Sequence, residues 1–168
     1  KEEIGSVGIS GMQSHYFEHF MEGLCDAQGV KLSDCFANSF CLSADVSNAF
    51  DPNWPETCDK RNNSQLNYGV AICKYTGSRG KGGASDASAE AMGHVRSTLD
   101  KAGVIWQIAT LGKVDQGGGG TVAAYMANRN IVTVDAGVPV LSMHAPLELV
   151  SKLDCYETML ACKAIYLA

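Results

Sequence analysis

Short apolar runs and helix-length amphipathic stretches take turns along this chain, and that alternation narrows the fold more than any other feature. Residues 40–46, 68–75, 104–109 and 131–135 read as strands, with Asp135 closing the last of them. Residues 14–28, 86–102, 121–128 and 148–167 carry helical spacing instead. Phe17, Phe20, Met21 and Leu24 share one face of the first helix, which Ser14 caps and Gly29 ends. Gly103 stops the second. Leu149, Leu153, Tyr156, Met159 and Leu160 follow the turns of the last. Residues 51–67 are a polar loop and 76–84 a glycine-rich basic one. Helix and strand patterns with crossover-length connections predict an α/β fold: a three-layer α/β/α sandwich around a mixed, mostly parallel sheet.

Composition excludes several function classes. An apolar share of 46% with 18% charged residues suits a globular domain, and 168 residues suffice for a real core. A net charge of −5 argues against nucleic acid and anionic membranes as partners. No apolar run is long enough to span a bilayer. The seven cysteines are irregularly spaced with no C-x-x-C pair, which disfavours a disulfide framework or a zinc ribbon. They point to a reducing compartment, the cytoplasm. The opening Lys-Glu-Glu-Ile-Gly-Ser has no Met and no signal-like stretch, so the chain is expected to be part of something longer.

Five features could carry chemistry. In Val134–Glu148 a strand is expected to end at Asp135, a Gly-Val-Pro turn to follow, and residues 140–143 to lead to His144. An imidazole near a strand end is either a metal ligand or general base, or a satisfied core histidine. Asp45 stands in an apolar strand, where a carboxylate is costly unless paired or bound to metal. Glu2 and Glu3 are adjacent carboxylates that could share a site only if the backbone bends, as Gly5-Ser6 permits. Gly117–Gly120 opens a helix but lacks a P-loop ending, so bare backbone for close approach is expected rather than nucleotide binding. His15-x-x-Glu18-His19 matches an inverted zincin pattern, yet its residues fall opposite the apolar face of their helix, on what should be a solvated side. Lys74 and Lys81 flank the 76–84 loop, where a solvated lysine is the ordinary case.

Glu-Glu-Ile-Gly-Ser at 2–6, Ser-Ala-Asp-Val-Ser-Asn-Ala-Phe-Asp-Pro-Asn at 43–53, Gly-Ala-Ser-Asp-Ala at 83–87 and Asp-Ala-Gly-Val-Pro-Val-Leu-Ser-Met-His-Ala at 135–145 occur in that order. Together they resemble the catalytic domain of the aspartyl aminopeptidase / vacuolar aminopeptidase I family of dinuclear zinc metallopeptidases. The resemblance runs over essentially the whole chain, as the C-terminal part of that domain, and implies the zinc-peptidase type of sandwich. It implies that Glu2 is the general base, that Glu3 and His144 bind one metal, and that Asp45 binds the other. It assigns Lys74, Asp115, Gly118 and Gly119 to the substrate pocket. The implied cofactors are two divalent metals, zinc first, with cobalt or manganese as alternatives. The implied partners are a peptide substrate and further copies of the parent protein. The family's upstream His, upstream metal-bridging Asp and dimerisation domain do not precede Glu2, so two expectations stand side by side. One is a metalloaminopeptidase represented by part of its catalytic domain. The other is a non-catalytic α/β fragment with an incomplete metal site. Gly82-Gly83, where acid-specific members carry a bulkier polar residue, leans towards a neutral or broad N-terminal residue preference.

Overall fold

A computed structural model describes residues 2–79, 82, 83 and 85–168. Lys81 lies outside the described residues. Among the described residues five α-helices and five strands follow in the order α1 (Tyr16–Ala27), α2 (Leu32–Ala37), β1 (Phe40–Asn48), β2 (Val70–Cys73), α3 (Ala89–Ala102), β3 (Trp106–Ala109), α4 (Ala123–Ala127), β4 (Val132–Leu141), β5 (Leu149–Val150) and α5 (Lys152–Tyr166). The strands form one sheet in the order β1-β4-β2-β3, with β5 on β4. The sheet is mixed as expected. The β1–β4 and β2–β3 ladders are parallel, and the shorter β2–β4 and β4–β5 ladders are antiparallel.

The core lies between the sheet and α3 with α5. Val70, Ile72, Val134 and Ala136 meet Val95, Leu99 and Ala161 there. The period-two alternation of β4 sends Thr133 and Asp135 to the opposite face, where α4 packs. Helix starts differ from the sequence reading. His15, not Ser14, occupies the N-cap of α1, without a side-chain cap bond. Ser88, not Asp86, caps α3 by accepting from the Ala91 N–H at 3.1 Å. Ser151 caps α5, because residues 149–150 pair with β4 before the helix begins.

The expected turn after Asp135 is absent, and β4 runs on through Pro139 to Leu141. Residues 135–137 pair with β2, and 140–141 pair with β5. Pro139 falls in the gap between them, so its missing N–H leaves no ladder bond unmade. The apolar face predicted for α1 is only partly covered: Phe17 stacks on Phe36 at 5.8 Å, while Phe20 and Leu24 remain exposed.

Two carboxylates of α5 tie the helix to the sheet. Asp154 is wholly buried, and its two oxygens accept the Asn67 and Gly69 N–H groups, each at 2.8 Å, just ahead of β2. One turn later Glu157 accepts the Ile105 N–H at 2.8 Å, just ahead of β3. A buried carboxylate is tolerable when its lone pairs are filled, and here they fill orphan backbone donors. Asp154→Ala should lower unfolding stability by about 2–4 kcal/mol, because two buried N–H groups lose their acceptor. Asp154→Asn, which keeps one carbonyl oxygen, should lose less. Urea unfolding of both variants checks this, and a loss within about 0.5 kcal/mol for Asp154→Ala would show that these N–H groups find other partners.

Candidate active site

A cleft of about 640 Å³ opens at the carboxyl ends of β1 and β4. That end of a parallel strand pair is where α/β proteins bind ligands. Asp45 enters it from β1, His144 from the segment after β4, Glu2 and Glu3 from an N-terminal 3-10 turn, and Gly117–Thr121 from the glycine loop. Residues far apart in the chain thus meet in one place.

Local backbone chemistry explains these positions. Gly137 on β4 pairs with Asp45 on β1, and a Cβ at 137 would sit 2.2 Å from the Asp45 carbonyl oxygen. Only glycine lets the two strands close there. Past β4, Ser142 and His144 both hold positive φ, at 59° and 67°. Such left-handed non-glycine residues carry strain that surrounding bonds must hold. The Glu148 carboxylate accepts the His144 N–H. At the N-terminal turn, the Gly5 carbonyl accepts bonds from Gln13 and from the Tyr125 hydroxyl, joining that turn to α4.

The electrostatics are those of a cation site. His144 Nδ1 lies 3.3 Å from the Glu3 carboxylate. Partial burial, together with the charges of Asp45 and Glu3, pushes the Glu2 carboxyl above its ordinary value, against the pull of His144. Four carboxylates, Glu2, Glu3, Asp45 and Asp51, line one cleft with one imidazole among them. Carboxylate oxygen and imidazole nitrogen are donors that zinc accepts, so the set fits part of a metal shell. Among the described residues no three His, Cys, Asp or Glu side chains stand close enough to enclose an ion. Glu3 with His144 makes a pair, and Asp45 stands as a further donor.

The other sequence candidates lie elsewhere. Lys74 is outside this cleft, because its ammonium pairs with Asp86 just beyond the end of β2. Asp115 lies in a separate hollow with Ser78, Arg79 and Gly82, and its N–H donates to the Arg79 carbonyl. Glu18 of the His15-x-x-Glu18-His19 motif is not on a purely solvated face. It pairs with His15 and, at 2.7 Å, with Arg129, whose guanidinium also donates to the Met12 and Ser14 carbonyls. That arrangement anchors the start of α1. Conversely, Asp51, Trp54 and Thr57 line the cleft although the 51–67 segment reads only as a polar loop. Its position directly after a strand that carries a candidate ligand is the signal that points to them.

Gly118 and Gly119 both line the cleft but differ in tolerance. Gly118 holds φ of 88°, and a Cβ there would meet the Leu111 carbonyl oxygen at 2.4 Å and that of Gly77 at 2.8 Å. A Cβ at Gly119 meets nothing within 4 Å. Gly118→Ala should therefore lower stability by about 1–3 kcal/mol, while Gly119→Ala should stay within about 0.5 kcal/mol of the parent. Thermal unfolding of both variants checks this, and equal midpoints would contradict the packing described.

The family model for aminopeptidase I zinc metalloprotease (M18) matches residues 1–166. The probable M18 family aminopeptidase 1 of Clostridium acetobutylicum is 51% identical over 162 residues, which is 94% of this chain and 35% of that protein. The crystal structure of an M18-family aminopeptidase from Thermotoga maritima superposes with a TM-score of 0.93 at 43% identity, over 98% of this chain and 38% of that one. The S. cerevisiae mApe1 dodecamer superposes with a TM-score of 0.79 at 25% identity, over 98% of this chain and 36% of that one. The chain thus spans little more than a third of the length of the relatives it matches. Fold, ordered motifs and family model agree: this chain belongs to the M18 family of aminopeptidase I zinc metalloproteases.

Proposed function

We propose that this chain is the C-terminal part of the catalytic domain of a metal-dependent aminopeptidase that releases N-terminal amino acids from peptides. The observation that carries this reading is the convergence of Glu2, Glu3, Asp45 and His144 on one cleft from three separate segments of chain. Zinc is the first candidate metal, with cobalt or manganese as alternatives of similar ligand preference. Two bound metals would supply a shared water of lowered pKa and polarise the scissile carbonyl.

The chain's own residues would do the rest. Glu3 and His144 would hold one metal and Asp45 the other, with the remaining donors supplied from outside the described residues. Glu2 would take the proton from the attacking water and return it to the leaving amine. A carboxyl already above its ordinary value suits that exchange. Gly118 and Gly119 would present bare backbone to the peptide. Gly82-Gly83 supports a neutral or broad preference for the N-terminal residue. The dodecameric yeast relative supports a homo-oligomeric parent. All seven thiols are free, which suits the cytoplasm. A net charge of −5 argues against nucleic acid and anionic membranes as partners.

A second reading is an inactive fragment with an incomplete metal site. The absence of a three-donor cluster among the described residues favours it for the chain in isolation. The test uses a family-length protein carrying this segment. Glu2→Gln should lower turnover by at least about a hundredfold with bound metal unchanged by elemental analysis. Unchanged turnover would remove Glu2 from the mechanism. His15→Ala should leave turnover unaltered, and its loss would transfer the chemistry to the α1 motif. A family-length protein that binds no metal would establish the inactive reading.

A further inference from the structure

Asp135 is one of the most buried carboxylates of the described chain, at 6% exposure, and the proposed chemistry does not use it. It stands on the face of β4 away from α3 and α5, two residues before Gly137. One oxygen accepts the Thr121 hydroxyl at 2.7 Å and the other accepts the Thr76 hydroxyl at 3.1 Å. Both threonines are buried. They belong to different loops. Thr76 follows β2 and leads into Gly77, and Thr121 follows the Gly117–Gly120 run and lines the cleft. The Thr121 oxygen also accepts the Ala123 N–H at 3.2 Å, fixing the start of α4.

These two loops rest on one another. The Gly77 N–H donates to the Gly119 carbonyl at 2.7 Å. A Cβ at Gly120 would lie 2.6 Å from the Gly83 carbonyl oxygen, as one at Gly118 would lie 2.8 Å from that of Gly77. The glycine wall of the cleft is thus bare backbone lying against Gly77 and Gly83. Four glycines hold no shape unaided, since glycine loses more conformational freedom on ordering than any other residue. A single buried carboxylate bonded to both loops supplies the missing constraint, and its position on β4 refers that constraint to the strand that leads to His144. Burial pushes the carboxyl above its ordinary value and the hydroxyls around it oppose the rise.

We infer that Asp135 is a positioning residue for peptide binding: through Thr121 and Thr76 it holds the Gly117–Gly120 wall at a fixed distance from Asp45 and His144. The wall then offers an extended peptide backbone a preorganised surface. This role rests on the aminopeptidase reading above. It differs from a merely structural one because it ties substrate affinity to a threonine that does not line the cleft.

The experiment takes the metal-loaded, family-length protein and two variants, Thr76→Val and Asp135→Asn. Hydrogen–deuterium exchange is followed by peptide, and steady-state kinetics are measured on leucine p-nitroanilide. Thr76→Val should speed exchange at least about tenfold in both 76–79 and 117–121, and leave α3 and α5 unchanged. It should raise KM about threefold to tenfold, with kcat within about twofold and bound metal unaltered. Asp135→Asn should do the same to exchange and KM more strongly. Wild-type exchange and KM in both variants would overturn the inference. So would exchange that rises equally in α3 and α5, which marks general destabilisation. A wild-type protein without activity would overturn the aminopeptidase reading and the substrate role with it, and would be recognised by coupled exchange in the two loops without turnover.

Discussion

β1 and β4 lie side by side in parallel over nine residues, and the pairing closes only because position 137 carries no side chain. Nearly everything about the cleft depends on that ladder. Parallel strands end on the same side, so Asp45 near the end of β1 and His144 just past the end of β4 are delivered to one rim. Asp45 sits level with Gly137, where a Cβ would meet its carbonyl oxygen. A side chain at 137 would push β1 away and carry Asp45 with it. The buried α3–α5 layer holds the same sheet from behind, so the rim is built on strands that share the main core.

Charge gives this rim its character. Burying like carboxylates together is costly, and the rise of Glu2 is one measure of that cost. Lys74 pairs with Asp86 and Arg129 with Glu18, so neither cation lines the cleft. His144 stands beside Glu3 at the rim. Such an acidic cluster suits a divalent metal, and the positive φ at Ser142 and His144 marks backbone strain where the candidate ligand His144 is held.

Much of this could be read from residues alone. The alternation of patterns located all four long strands, because buried strands and amphipathic helices differ in period. Ordered short motifs brought Glu2, Glu3, Asp45 and His144 under one hypothesis, and the fold places them on one cleft. What escaped was set by tertiary context. Pro139 reads as a turn because no sequence shows that its nitrogen falls between two ladders. Phe20 and Leu24 read as core because helical spacing says which residues share a face and nothing about what covers it. Lys74 and Asp115 sit close in sequence to the glycine-bearing loops, yet Lys74 pairs with Asp86 and Asp115 lines a separate hollow. Asp135 reads as the end of a strand, and only the folded chain shows two loops hanging from it.

The most direct test of the account is anomalous diffraction at the zinc edge from crystals of a zinc-loaded, family-length protein carrying this segment. Two peaks are expected in the cleft, one beside Glu3 and His144 and one beside Asp45, and none beside His15 and His19. Zinc bound only at the α1 histidines, or no ordered zinc at the rim of β1 and β4, would contradict it.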